Sequence, residues 1–260
     1  MDRRDFLSRT TVFLLGSFLG FNPFSKSQAS ESQDTSFAAQ SRIALIIDDI
    51  GANLSHATPF LDLGIPITFA VLPRLAKSQE AAEIIHTEGH EIMLHQPMEP
   101  IDRYLDPGPG ALYVGYGSNK ITRIMEENIS QIPFAIGVNN HMGSRFTTYP
   151  KEVLETLQVV KERGLFFVDS LTINRSMAYK TARDLHMPAA ERDFFLDNVL
   201  EEPAILRQLY GLKKYSLKHG QAVGIGHPFR ETASAIQTFL TDNKESGIEW
   251  VHISSLIKTA

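Results

Sequence analysis

The chain has 260 residues, 43% of them hydrophobic and 21% charged, which suits one globular core of ordinary size. Its net charge is −5 and no basic run lies beyond the N-terminus, which argues against a nucleic-acid partner. It has no cysteine, so disulfides, thiolate metal sites, cysteine nucleophiles and lipidated cysteine anchors are excluded, and any metal must be held by histidine and carboxylate.

Residues 1–29 differ in kind from the rest. A positive start leads to an apolar stretch from Thr11 to Phe21 and a small-residue exit at Ser27 and Ala29, the pattern of a signal peptide too short for a comfortable membrane span. Arg3-Arg4-Asp5-Phe6-Leu7 resembles the twin-arginine export signal. The expectation is therefore an exported, periplasmic protein with no stable membrane span once the signal is removed; an uncleaved N-terminal anchor is the alternative. Residues 30–41 are polar and small and read as a linker, leaving 42–260 as one domain.

From there β-rich runs alternate with helical patterns. "RIALII", "PITFAVL", "EIMLH", "FAIGV", "LFFVD", "DFFL", "AVGIG" and "EWVHI" read as strands. "LAKSQEAAEIIHTEG" and "PKEVLETLQVVKERG" between them have helical spacing, and they end at Gly89 and Gly164; Pro150 opens the second. Strand–helix alternation predicts an α/β domain with a parallel sheet, either a closed or nearly closed β/α barrel or a doubly wound open sheet. Both architectures put the active site at the C-terminal ends of the strands.

Polar residues cluster at those ends. Asp48 and Asp49 close the first run, His95 the third, and Asn139, Asn140 and His141 follow the fourth. Asp169 and His227 close later runs, so three of the nine histidines fall at strand ends. Taken singly, each has a plainer role: Asp48-Asp49 can cap a helix, His95 can be a core histidine, Asn139 and Asn140 suit a turn, Asp169 can cap a helix or orient a ligand histidine, and His227 can stand by in a loop. Together, one carboxylate and two imidazoles at converging strand ends make a site for zinc or a similar divalent ion, with the second aspartate near it as a general base.

At these residues the sequence resembles a known family. "LIIDDIG" is similar to the Asp-Asp motif that opens the polysaccharide deacetylase superfamily, and "EGHEIMLHQPME" to its second, histidine-bearing motif. "VNNHMGSRFT", "FFVDSLT" and "GIGHPFRETASAI" resemble the divergent polysaccharide deacetylases of bacterial envelopes, and the likeness spans roughly residues 42–257. The resemblance implies a distorted (β/α)7-like barrel and a metal-dependent deacetylase acting on N-acetyl or O-acetyl groups of an envelope saccharide or peptidoglycan-type substrate. By position, Asp48 would be the general base, Asp49 and His95 metal ligands, and His227 the general acid. The superfamily's second histidine is replaced here by Glu99, so the third ligand is either His141, the choice made here, or Glu99. Arg145 or Arg192 would supply a cation beside Asp48, and a divalent metal such as zinc would lower the pKa of its water and polarise the acyl carbonyl.

Residues 97–120 are too long for an ordinary βα loop, and Tyr104, Tyr113 and Tyr116 there either form a lid over the mouth or pack down onto the barrel. The phenylalanine pairs Phe166-Phe167 and Phe194-Phe195 read as core. Two further functions compete with deacetylation: a non-catalytic carbohydrate- or peptidoglycan-binding envelope protein on the same fold, and a metal-dependent hydrolase of another amide or ester.

Overall fold

The run Ile43–Ile47 is apolar on both faces and fully buried, which only a strand flanked on both sides and covered above and below can satisfy. It forms the middle of β1 (Ser41–Ile50), with β2 (Thr68–Val71) pairing to its second half and β8 (Gln221–Gly226) to its other edge, both parallel. The computed structural model describes residues 41–244 and 247–257; the expected export signal and linker residues 30–40 lie outside them. Ala38–Ala260 is a compact unit by itself, and every core residue among the described residues belongs to it.

The remaining strands are β3 (Glu91–Met98), β4 (Ala135–Met142), β5 (Phe166–Asp169), β6 (Ala189–Glu191), β7 (Phe194–Phe195) and β9 (Ile248–Trp250). The hydrogen-bonded order is β6-β5-β4-β3-β2-β1-β8-β7, all parallel, with β9 beside the start of β1. Around the ring the strands thus follow chain order from β1 to β6, and the last pair returns to β1. A doubly wound sheet would instead reverse direction from its first strand. The fold is a curled, open barrel with its seam between β6 and β7, the distorted barrel that the sequence leads one to expect rather than the doubly wound sheet. β6 escaped the sequence reading because Ala-Ala-Glu carries no β-branched or aromatic residue.

Helices α1 (Thr58–Leu61), α2 (Ser78–Thr87), α3 (Ser118–Gln131), α4 (Pro150–Glu162), α5 (Ala178–Asp184), α6 (Glu202–His219) and α7 (Arg230–Asp242) complete the chain. Pro150 opens α4, and Gly89 and Gly164, both left-handed, follow α2 and α4. Buried residues of these helices and the outward side chains of the strands form the larger core.

The barrel interior is a second, smaller core. Ala44 and Ile46, Ala70, Met93, Phe166 and Val168, Val223 and Ile225 point inward, and Ile253 and Leu256 of the C-terminal 3₁₀ turn join them. Side chains alternate along a strand, so the residues two positions beyond Ile46, Met93 and Ile225 share the inward face. Those residues are Asp48, His95 and His227. An apolar floor with a polar layer above it is therefore written into the strands by period two. Phe166 and Phe167 are buried as expected; Phe194 and Phe195 are only partly so.

Candidate metal and catalytic site

Adjacent residues of a regular strand face opposite ways, so Asp48 and Asp49 could not both reach the mouth from an undistorted β1. Between Ile47 and Ile50 the strand advances three residues while β2 advances two, from Phe69 to Val71. Asp49 occupies this bulge with φ 59°, a left-handed conformation costly for a non-glycine residue. Gly51 follows at φ 127°, where a Cβ would stand 2.9 Å from Ser78 Oγ and 3.2 Å from the Leu72 carbonyl oxygen. The strained turn delivers both carboxylates to one place.

Asp49 Oδ1 lies 2.9 Å from His141 Nδ1 and 3.2 Å from His95 Nε2, and the two nitrogens are 3.1 Å apart. This oxygen is buried and accepts no well-aligned hydrogen bond. Three atoms able to ligate a metal converge here from three residues, an arrangement that suits a cation. Ligand atoms around a tetrahedral zinc stand about 3.4 Å apart, a few tenths of an ångström more than here. The donor set therefore fits a divalent ion, and among the described residues no other group of three or more His, Cys, Asp or Glu has this arrangement. Burial works against charge on Asp49, yet the two imidazoles hold it well below the usual carboxylate range.

Asn139 fixes the tautomer of His95. Its Nδ2 donates to Asp48 Oδ1 at 2.8 Å, which leaves Oδ1 to accept from His95 Nδ1 at 2.7 Å. In the neutral ring, His95 Nε2 then turns its lone pair toward the cluster. The β3–β4 register sets His95 opposite Asn139 and Pro97 opposite His141. Burial raises the Asp48 pKa, against the pull of His95, His227 and Asn139. A carboxylate raised in this way is a stronger base.

His227 directly follows β8 and pairs with Asp197, a residue the strand-end pattern of the sequence did not single out. Asp197 Oδ1 pairs with His227 Nδ1 at 2.8 Å, while Oδ2 accepts from the His227 backbone N–H at 2.6 Å and from Thr232 Oγ1 at 2.8 Å. Burial opposes protonation, but the Asp197 hydrogen bond and then the charge of Asp48 push the His227 pKa up to about 9. Asp197 directly follows the "DFFL" run; the strand-end rule that found Asp48 would have found it too.

The other predicted residues fall outside this group. Glu99 Oε2 accepts from the Val114 N–H at 2.8 Å and Oε1 pairs with Arg145 at 3.3 Å, so both are spent on the loop after β3. Arg192 donates to the Ser170 and Leu171 carbonyls and lies over the Phe195 ring; burial lowers its pKa against the pull of Asp169, Asp193 and Asp48. Asp169 accepts from Leu171 N, Ser176 Oγ and Tyr179 N, shaping the loop before α5. Asn140 ties β4 to that loop through the Ser170 N–H.

Residues 45–257 match the family model described as divergent polysaccharide deacetylase. The chain belongs to this family. A Haemophilus influenzae protein of uncharacterized function is 32% identical over 212 residues, 81% of this chain and 75% of its own. An uncharacterized protein from Agrobacterium tumefaciens has a crystal structure with TM-score 0.79 and 26% identity, covering 84% of this chain and 89% of that one. The catalytic domain of a peptidoglycan N-acetylglucosamine deacetylase from Eubacterium rectale shares the fold at TM-score 0.55 and 12% identity, over 85% of this chain and 91% of that one. Membership in a polysaccharide deacetylase family accords with an Asp-His-His group at the barrel mouth.

Proposed function

We infer that this divergent polysaccharide deacetylase is a metal-dependent amide hydrolase that removes acetyl groups from an envelope saccharide. The observation that carries the reading is the Asp49–His95–His141 group, with His95 buried and the other two partly so, flanked by Asp48 and His227. A divalent ion, zinc by the chemistry of the donors, would be held by those three residues and would supply Lewis acidity toward a water and the acyl carbonyl. Asp48, raised by burial, takes the proton of the attacking water. Asn139 holds Asp48 and His95 in register through one amide. His227, protonated at neutral pH, gives its proton to the departing nitrogen, and Asp197 keeps the proton-bearing ring oriented. An N-acetylated sugar suits this pairing, since a departing amine needs the proton that His227 holds.

The test is metal content and acetate release of residues 38–260, wild type beside Asp49→Ala, His141→Ala and Asp48→Ala. About one equivalent of metal, lost in the first two variants and kept in the third while turnover disappears, is the expected result. Absence of bound metal after incubation with excess zinc would overturn the hydrolytic reading and leave a saccharide-binding protein in its place. Export to the envelope rests on residues 1–40; a reporter fused to them and retained in the cytoplasm would refute it.

A further inference from the structure

His141 stands where one of its two sheet ladders has already ended. On one side the β3–β4 pairing runs on to Met98 opposite Met142, but on the other the β4–β5 pairing stops at Asn139 opposite Val168. The residue after His141, Met142, is left-handed at φ 53°, and so is Leu171 at φ 48°, just past the end of β5. Such backbone is strained for a residue with a side chain and persists only where its surroundings hold it.

Side chains take over where the ladder stops. The buried Asn140 amide donates to the Met142 carbonyl at 2.9 Å and accepts from the Ser170 N–H at 2.9 Å. Thr172 Oγ1 donates to the same Met142 carbonyl, also at 2.9 Å. Arg192 in turn fixes the residues that hold Asn140. Its Nε donates to the Ser170 carbonyl at 2.8 Å and its Nη2 to the Leu171 carbonyl at 2.9 Å, with the guanidinium carbon 3.8 Å from the centre of the Phe195 ring. One chain of hydrogen bonds thus runs from the segment between β6 and β7, through the end of β5, to the turn that follows His141. A planar fork spread over two adjacent carbonyls and laid on an aromatic face is a geometry that a lysine ammonium cannot reproduce. None of these bonds reaches the His141 ring, so the chain acts on the backbone that aims it.

We propose that Asn140, Thr172 and Arg192 are positioning residues that hold His141 as the third metal ligand. The assignment rests on the metal-dependent reading of the site. It gives Arg192 a geometric task in place of the charge beside Asp48 that the sequence suggested. It also supplies what a ligand at the end of β4 needs in a chain where the family's second histidine is replaced by Glu99. Zinc affinity of residues 38–260 is measured by competition with a chromophoric chelator, and the visible spectrum of the cobalt-substituted protein reports how its ligands are arranged. Asn140→Ala and Arg192→Lys are expected to weaken zinc binding by about tenfold or more, the scale on which groups outside a metal's own ligands act. Thr172→Val, which removes one hydroxyl, shifts affinity in the same direction by less and remains a test if a larger change prevents folding. All three alter the cobalt spectrum, while Glu99→Gln, which cuts a different loop tie, keeps the affinity and spectrum of the wild type. Variants with a lowered Tm but wild-type affinity and spectrum would show a purely structural role and overturn the proposal. An Arg192→Lys protein indistinguishable from wild type would do the same, by assigning Arg192 to charge. A wild type that binds no zinc sinks the metal reading together with the proposal, whereas equally tight zinc in wild type and variants sinks the positioning role alone.

Discussion

Asp197 shows how one carboxylate sets the chemistry of its neighbour. Its hydrogen bond is the chief cause of the raised His227 pKa, about 9 against 6.5 for a free imidazole. A histidine raised on folding contributes stability that is fully present below its unfolded pKa and is lost as pH rises through the folded one. That contribution therefore disappears between pH 6.5 and about 9, and turnover that needs the proton falls over the upper part of that window. Asp197→Asn is expected to move the alkaline limb of kcat/KM toward neutrality, and an NMR titration of His227 would check the shift directly. Glu99→Gln makes the opposite kind of prediction. Because Glu99 ties the loop to Val114 and Arg145 and stands apart from the Asp-His-His group, the variant should keep its metal while its KM for a saccharide rises, measured by metal analysis and steady-state kinetics.

Among the elements, β4 illustrates how tightly the sheet is packed below the site. Gly137 faces Phe166 of β5, and an added Cβ would lie 2.2 Å from that ring. Gly137→Ala forces Phe166 off its position or opens the β4–β5 ladder, an overpacking cost of about 1–3 kcal/mol. A thermal melt is expected to show a lowered Tm; an unchanged Tm would mean that the phenylalanine has room to turn. The same strand carries Asn139 and His141, so displacement there should loosen metal binding as well.

For the whole molecule, the polar layer at the mouth depends on the apolar floor beneath it. Ile253 is fully buried in the barrel interior although it comes from the last described turn of the chain. Ile253→Ala is expected to cost about 2–5 kcal/mol, read by chemical denaturation. A metal held at the proposed site would act at the same scale by mass action. An ion at about a thousand times its Kd adds about 4 kcal/mol to stability, so a chelator should lower the Tm of the wild type and leave that of Asp49→Ala unmoved.

Read alone, the sequence determined the alternation of strands and helices, and its motifs carried the resemblance to the polysaccharide deacetylases. Those features are local: apolar runs of strand length, helix-stopping glycines, and short polar motifs directly after the strands. Strand ends also named Asp48, Asp49, His95, His141 and His227 without any knowledge of their distances. The tertiary structure decided the rest. That Asp48 and Asp49 point the same way depends on a bulge against β2, and the proximity of His141 to Asp49 depends on register across strands ninety residues apart. The diversion of Glu99 to Val114 and the pairing of His227 with Asp197 likewise join residues far apart in the chain. No local propensity encodes such pairings, because they are set by which strands become neighbours and by how each twist and bulge aims the side chains at the barrel mouth.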